Sequence, residues 1–142
     1  MYFVDTNVFV YTRDASEPGK QPLAAAWVEY LWRSRNGRLS SQVLQEYYQA
    51  VTRKLSPGLT TEAARQDVRD LFAWQPVMID SAIVERAWSV EDRYQLSWWD
   101  SLIVGAALHA ECRYLLTEDL QQGQEFGTVT VVNPFSAEIP RT

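Results

Sequence analysis

The chain has 142 residues, 46% hydrophobic and 13% aromatic, with a net charge of −5 at pH 7. A chain this long can bury roughly two thirds of its unfolded surface in a single domain, and its apolar content excludes a disordered tail. No apolar run approaches the roughly 18 residues of a membrane span, so no membrane association is expected. The start, Met1-Tyr2-Phe3-Val4-Asp5, lacks the basic segment, apolar stretch and small-residue cleavage site of a secretory signal. The one cysteine, Cys112, has no partner for an internal disulfide, and the expected location is the cytoplasm.

The negative charge counts against nucleic acid, whose binding normally leaves a basic footprint. Carboxylates that gather divalent cations are the exception, because bound metal reverses the local charge that a phosphate meets. The basic residues are uneven, with Arg33, Arg35, Arg38, Arg53 and Lys54 in the first half, where they form either a solvated face or a phosphate-contacting one.

In chain order, Tyr2-Phe3-Val4 is a β-prone run that stops at Asp5-Thr6-Asn7, as a buried parallel strand does at the edge of its sheet. After Pro18, Gly19 and Pro22, residues 23–34 read as a helix with Leu23, Trp27, Tyr30 and Leu31 at helical spacing. That aromatic stripe is either core or, where exposed, a groove for a partner helix. Asn36-Gly37 marks a turn, residues 38–40 a short strand, and Ser40 or Ser41 caps a helix reaching about residue 54, with Val43, Leu44, Tyr47 and Val51 buried. Glu46 adjoins that stripe.

Pro57-Gly58 stops this helix, and another spans residues 60–74 with Ala64, Val68, Leu71 and Phe72 inward. Val77-Met78-Ile79 is a second β-prone run, after which Asp80 or Ser81 caps a helix containing Ile83, Ala87 and Trp88. The next helix follows Ser97 and runs to about Cys112; residues 114–117 and 128–132 are the last two strands. Strands separated by helices imply an α/β fold with a mostly parallel sheet covered on both faces, and ligands bind beyond the carboxyl ends of such strands. Asp5 and Asp119 lie at two of those ends.

The chain has 18 acidic residues, so position has to select among them. Asp100 stands among Trp98, Trp99, Leu102 and Ile103, where an acid is costly unless paired. Each acid also has a plainer role: Asp5 in an Asx turn, Asp100 near a capping box after Ser97, Glu46 on a solvated face, Glu118 and Asp119 in a turn. Together, Asp5, Glu46, Asp100 and Asp119 would repel one another unless neutralised, and hard oxygen donors without Cys or His favour Mg²⁺ or Mn²⁺. His109, the sole histidine, reads as a surface residue. Such a site suits phosphodiester hydrolysis, with Thr6 and Asn7 orienting Asp5 or a water and Thr117 doing the same for Asp119. Trp98 and Trp99 are candidates to stack on bases, with core packing expected for at least one.

Two other Asp-after-strand architectures fail on a residue. A haloacid dehalogenase-type phosphatase needs a second Asp where Asn7 stands, and a receiver domain needs a late lysine, whereas no lysine follows Lys54.

Phe3-Val4-Asp5-Thr6-Asn7-Val8, Ser41-Gln42-Val43-Leu44-Gln45-Glu46, Ser97-Trp98-Trp99-Asp100-Ser101-Leu102-Ile103, Leu116-Thr117-Glu118-Asp119-Leu120, and then Gly123-Gln124 and Val132-Asn133-Pro134-Phe135, occur in an order and spacing that resemble the PIN-domain nucleases, particularly VapC-type toxins of bacterial toxin–antitoxin pairs. The resemblance implies a three-layer α/β/α sandwich and Mg²⁺- or Mn²⁺-dependent cleavage of RNA at Asp5, Glu46, Asp100 and Asp119. It also implies a homodimer and a cognate antitoxin whose tail covers the site. Glu118 is a second acid at the same strand end that can share or exchange the role of Asp119. A housekeeping RNA-processing nuclease and a non-cleaving PIN-like binding module remain the alternatives.

Overall fold

The computed structural model describes residues 1–141. Its centre is a five-stranded sheet in the order β2-β1-β3-β5-β4, made of β1 (Tyr2–Val4), β2 (Gly37–Arg38), β3 (Tyr114–Leu116), β4 (Glu125–Phe126) and β5 (Val129–Val132). All neighbours are parallel except β4 and β5. Six helices surround it: α1 (Thr6–Tyr11), α2 (Gln21–Ser34), α3 (Ser41–Arg53), α4 (Thr61–Leu71), α5 (Ser81–Tyr94) and α6 (Trp98–His109). The result is a three-layer α/β/α sandwich with a mostly parallel sheet.

Capping by short polar side chains decides where four helices begin. Ser40 accepts from the Val43 amide at 3.4 Å, Thr60 from Ala63 at 3.1 Å, Asp80 from Ile83 at 3.1 Å and Ser97 from Asp100 at 3.2 Å. Each such cap satisfies an otherwise orphaned N–H and stabilises its helix by about 1 kcal/mol. Arg35 and Gln95 end α2 and α5 in the left-handed conformation, with φ of 54° and 58°.

Phe3 and Val4 of β1 are fully buried, and Tyr2 packs its ring on Trp27 of α2 and on Tyr114 of β3. Trp27 and Leu31, two members of the aromatic stripe, are therefore core, and the Trp27 indole N–H donates to the Pro134 carbonyl at 3.0 Å. Leu23, expected on that stripe, is exposed. α6 is buried along seven consecutive residues from Ser101 to Ala107, packed between α5 and strands β3 and β5. Gly105 permits that approach, because a Cβ there would stand 3.3 Å from the Ala87 backbone.

The structure departs from the sequence expectations in five further places. A helix, α1, begins immediately after Asp5, and a short strand, β4, pairs antiparallel with β5. Only Gly37 and Arg38 form β2; Leu39 and Ser40 instead meet Val77, through the Val77 N–H to Leu39 and a single bridge from Ser40 to Val77. Val77-Met78-Ile79 is accordingly not a strand: Pro76 has no N–H to extend the ladder, and the Ile79 amide donates to the Ser41 hydroxyl instead of a backbone carbonyl. In α4 the inward positions are Ala64 and Leu71; Val68 is half-buried, and the helix tightens into a 3₁₀ turn, Phe72–Trp74, that turns Phe72 out. Among the described residues no helix is long and apolar enough to cross a membrane.

Gly37 is fixed by packing, since a Cβ there would lie 2.5 Å from the Trp74 ring. Gly37→Ala is expected to cost about 1–3 kcal/mol through overpacking. Urea unfolding measures this, and an unchanged midpoint would contradict the packing described.

Candidate active site

The parallel register places Val4 beside Leu116, so the residues that follow, Asp5 and Thr117, emerge side by side at the carboxyl end of the sheet. Asp5 caps α1. One of its carboxylate oxygens accepts from the Thr6 amide at 2.7 Å and the other from the Thr117 hydroxyl at 2.8 Å. Thr117 is fully buried, and its oxygen also accepts from the Asn7 side-chain amide at 3.4 Å and the Asp119 backbone amide at 3.1 Å. Its single donor and both acceptor positions are thus used.

α3 and α6 supply two more acids. Glu46 accepts from the Thr6 hydroxyl at 2.7 Å and from the Gln42 side-chain amide at 3.4 Å. The same Gln42 amide donates to the Trp99 carbonyl at 3.4 Å, tying α3 to the first turn of α6, where Asp100 stands three residues beyond the capping Ser97. Both partners of this amide nitrogen are pure acceptors, which settles the orientation of the Gln42 side chain.

Asp5, Glu46, Asp100 and Asp119 all line one open cleft of about 1020 Å³. As placed, no three Asp, Glu, His or Cys side chains among the described residues form a chelating group, so gathering around an ion requires the acids to rotate within the cleft. Glu118 is directed elsewhere: it pairs with Lys20 at 2.8 Å and accepts from the Tyr11 hydroxyl. Two neighbouring acids therefore have separate partners, with Asp119 exposed on the cleft and Glu118 held in an ion pair. His109 is exposed at the end of α6.

Burial is the main cause that pushes the Asp5 carboxyl up to about 7, against the hydrogen bonds from Thr117 and Thr6 and with the help of the charges on Asp119 and Glu46. Asp100 is raised as well, first by desolvation, opposed by Ser97 and reinforced by Asp119 and Glu46. The cleft therefore resists its own negative charge. In addition, the Asn7 side-chain oxygen is buried beside Asp5 without a hydrogen-bond partner. An all-oxygen donor set, two carboxyls raised by burial and by their acidic neighbours, and an orphaned amide oxygen fit a hard divalent cation such as Mg²⁺ or Mn²⁺.

The PIN domain family model matches residues 2–124, a span that takes in all four of these acids. The chain belongs to the PIN domain family. Its fold is similar to that of solved toxin and toxin–antitoxin structures at low sequence identity. A toxin–antitoxin complex from Klebsiella pneumoniae aligns at 17% identity over 94% of this chain and 98% of that chain, with a TM-score of 0.63. VapC20 of Mycobacterium tuberculosis, described as a sarcin–ricin loop cleaving toxin, aligns at 16% identity over 81% and 87%, with a TM-score of 0.60. VapBC2 from Rickettsia felis, bound to a DNA fragment from its promoter, aligns at 18% identity over 92% and 96%, with a TM-score of 0.58. A comparison with curated protein sequences returned no match.

Within this PIN domain, sequence reasoning assigned no role to several side chains that line the cleft, three of which are polar groups near the acids. Gln42 is buried, and its position four residues before Glu46 on α3 was the available signal. Asp14 is a fifth acid, turned toward Ser16, whose amide and hydroxyl it accepts from at 3.0 and 2.6 Å. Gln45 is the third. Of the basic residues, Lys54 lines the cleft, whereas Arg33 and Arg35 are solvated and Arg38 donates to the Gln75 carbonyl.

Because the folded-state value of Asp5 lies above its ordinary 3.8, its contribution to stability is complete below about pH 4 and is lost as pH rises through about 7. In EDTA, Asp5→Asn should therefore match or trail the wild type in acid and melt on the order of a few degrees higher near pH 8. Thermal melts across that pH range measure the crossing, and a constant difference between the two proteins would refute the buried-carboxylate account.

Proposed function

We propose that this PIN domain is a Mg²⁺- or Mn²⁺-dependent endoribonuclease, the VapC-type toxin of a toxin–antitoxin pair, that hydrolyses RNA phosphodiester bonds in the cleft of Asp5, Glu46, Asp100 and Asp119. The observation that carries this reading is that four acids from four separate elements line one cleft at the carboxyl end of the sheet, two of them with carboxyls raised by burial and by the others. The toxin role draws on the solved toxin structures with the same fold.

The four carboxylates would hold the ion, which when bound supplies Lewis-acid stabilisation of phosphate charge. The chain's own residues set the geometry. Thr117 and the Thr6 amide fix the two oxygens of Asp5, and the Thr6 hydroxyl and Gln42 restrain Glu46. Outer partners of this kind set the direction of a ligand's lone pairs, and losing one typically costs 10- to 100-fold in metal affinity or activity. Lys54 gives the cleft a cation for the RNA backbone. The proposed partners are a cognate antitoxin, whose tail would cover the cleft, and a second copy of the chain in a homodimer.

Purified protein is expected to cleave RNA with added Mg²⁺ or Mn²⁺ and to stop on chelation. Asp5→Asn and Asp100→Asn should each lower the rate by more than about 100-fold while circular dichroism remains that of the folded protein. Full activity in both variants would sink the site assignment. For the biological role, expression should arrest growth, and co-expression of an adjacent small gene should relieve it. An active nuclease whose expression is harmless would point instead to housekeeping RNA processing.

A further inference from the structure

The six tryptophans of this chain differ sharply in their surroundings. Trp27, Trp32, Trp74, Trp88 and Trp98 each have another aromatic ring between 5.3 and 6.4 Å away. Trp99 has none among the described residues, is 62% exposed, and lines the acidic cleft one residue before Asp100. It is not loosely mounted. It sits in the capped first turn of α6, and its carbonyl accepts from Gln42, the same side chain that restrains Glu46. Met78, 68% exposed, and Ile79 line the same cleft, which thus carries apolar surface as well as carboxylates.

An exposed indole on an anchored backbone beside an acidic site has the form of a stacking platform, because every nucleobase offers a π-face and stacking is indifferent to sequence. The ring can be covered in this way only by a base that has left its helix. We propose that Trp99 is a base-stacking shelf that receives an unpaired nucleotide of the RNA at the cleft, in a single strand or a loop. The inference rests on the nuclease reading for the identity of the ligand. Its ground is the pairing of one exposed, unpartnered indole with the adjacent Asp100 in a single cleft. Lys54 at the cleft is suited to the backbone of the same strand, so base and phosphate would be met by different side chains.

The test is equilibrium binding followed by tryptophan emission. A single-stranded RNA of about 12 nucleotides, and the duplex it forms with its complement, are titrated in Ca²⁺, which occupies oxygen sites. The single strand is expected to quench emission, Trp99→Phe to remove most of that quench, and Trp99→Ala to weaken the single strand about 5- to 100-fold with little effect on the duplex. Trp99→Leu serves as a second truncation, and thermal melts establish that each variant is folded. Equal binding and quenching by duplex and single strand would overturn the shelf. So would wild-type affinity in Trp99→Ala, or emission that changes with protein concentration alone, which would place a second copy over the ring. Cleavage assays separate this inference from the function beneath it. Cleavage with no preference for unpaired RNA removes the shelf and leaves the nuclease. Binding through Trp99 without cleavage in Mg²⁺ or Mn²⁺ removes the nuclease and leaves the shelf.

Discussion

The carboxylate of Asp5 is carried by a wholly buried strand to the edge of a parallel sheet and remains almost entirely out of water there, with 6% of its surface exposed. A charge in that position is expensive, and only two hydrogen bonds, from the Thr6 amide and the Thr117 hydroxyl, offset the desolvation. The register of β1 against β3 places Thr117 beside Asp5, so the sheet itself determines the environment of the acid. The neighbouring acids make matters worse for it, since Asp119 and Glu46 both oppose its ionisation. A cation in the cleft would oppose each of those terms, which is the physical ground for proposing metal chemistry at Asp5.

The remaining parts of the cleft are held by elements whose stability comes from elsewhere. α6 is buried on nearly every side, so the position of Asp100 is set by packing against α5 and the sheet and by the Ser97 cap. α3 presents Glu46 from the edge of its buried stripe, and Gln42 joins α3 to α6 by one amide group shared between Glu46 and the Trp99 carbonyl. On the far side, Tyr11 and Lys20 hold Glu118 away from the cleft, with Lys20 also resting near the rings of Tyr11 and Phe135. Glu118 is thus held in an ion pair, while Asp5, Glu46, Asp100 and Asp119 line the cleft.

Much of this was legible in the sequence wherever the signal was local. Strand ends at Asp5 and before Asp119, helix starts at Ser40 or Ser41, near residue 60, at Asp80 or Ser81 and after Ser97, and the parallel architecture all follow from short-range patterns. What escaped depended on distant partners. α1 is only six residues long, and its Val8-Phe9-Val10-Tyr11 reads as β-prone. It is helical because Asp5 caps it and because Phe9 packs against Tyr47 and Trp74, far along the chain. Val77-Met78-Ile79 has the composition of a strand, yet finds one bridge where Pro76 cannot donate. The difference between Glu118 and Asp119 is invisible locally, because Lys20 and Tyr11 hold Glu118 from 98 and 107 residues upstream. Trp98 and Trp99 were interchangeable on paper; Trp88 occupies the neighbourhood of one and leaves the other exposed.

The central claim is that a buried, reluctant Asp5 is ionised by a divalent cation. Binding and deprotonation must then be one event. Isothermal titration of Mn²⁺ into the metal-free chain near pH 6, repeated in buffers of different ionisation enthalpy, measures the protons released per ion bound. The account predicts a clear release in the wild type, smaller at pH 8, and a marked loss of both binding and release in Asp5→Asn. Binding in the wild type with no proton release at pH 6, or equal binding and release in Asp5→Asn, would contradict it.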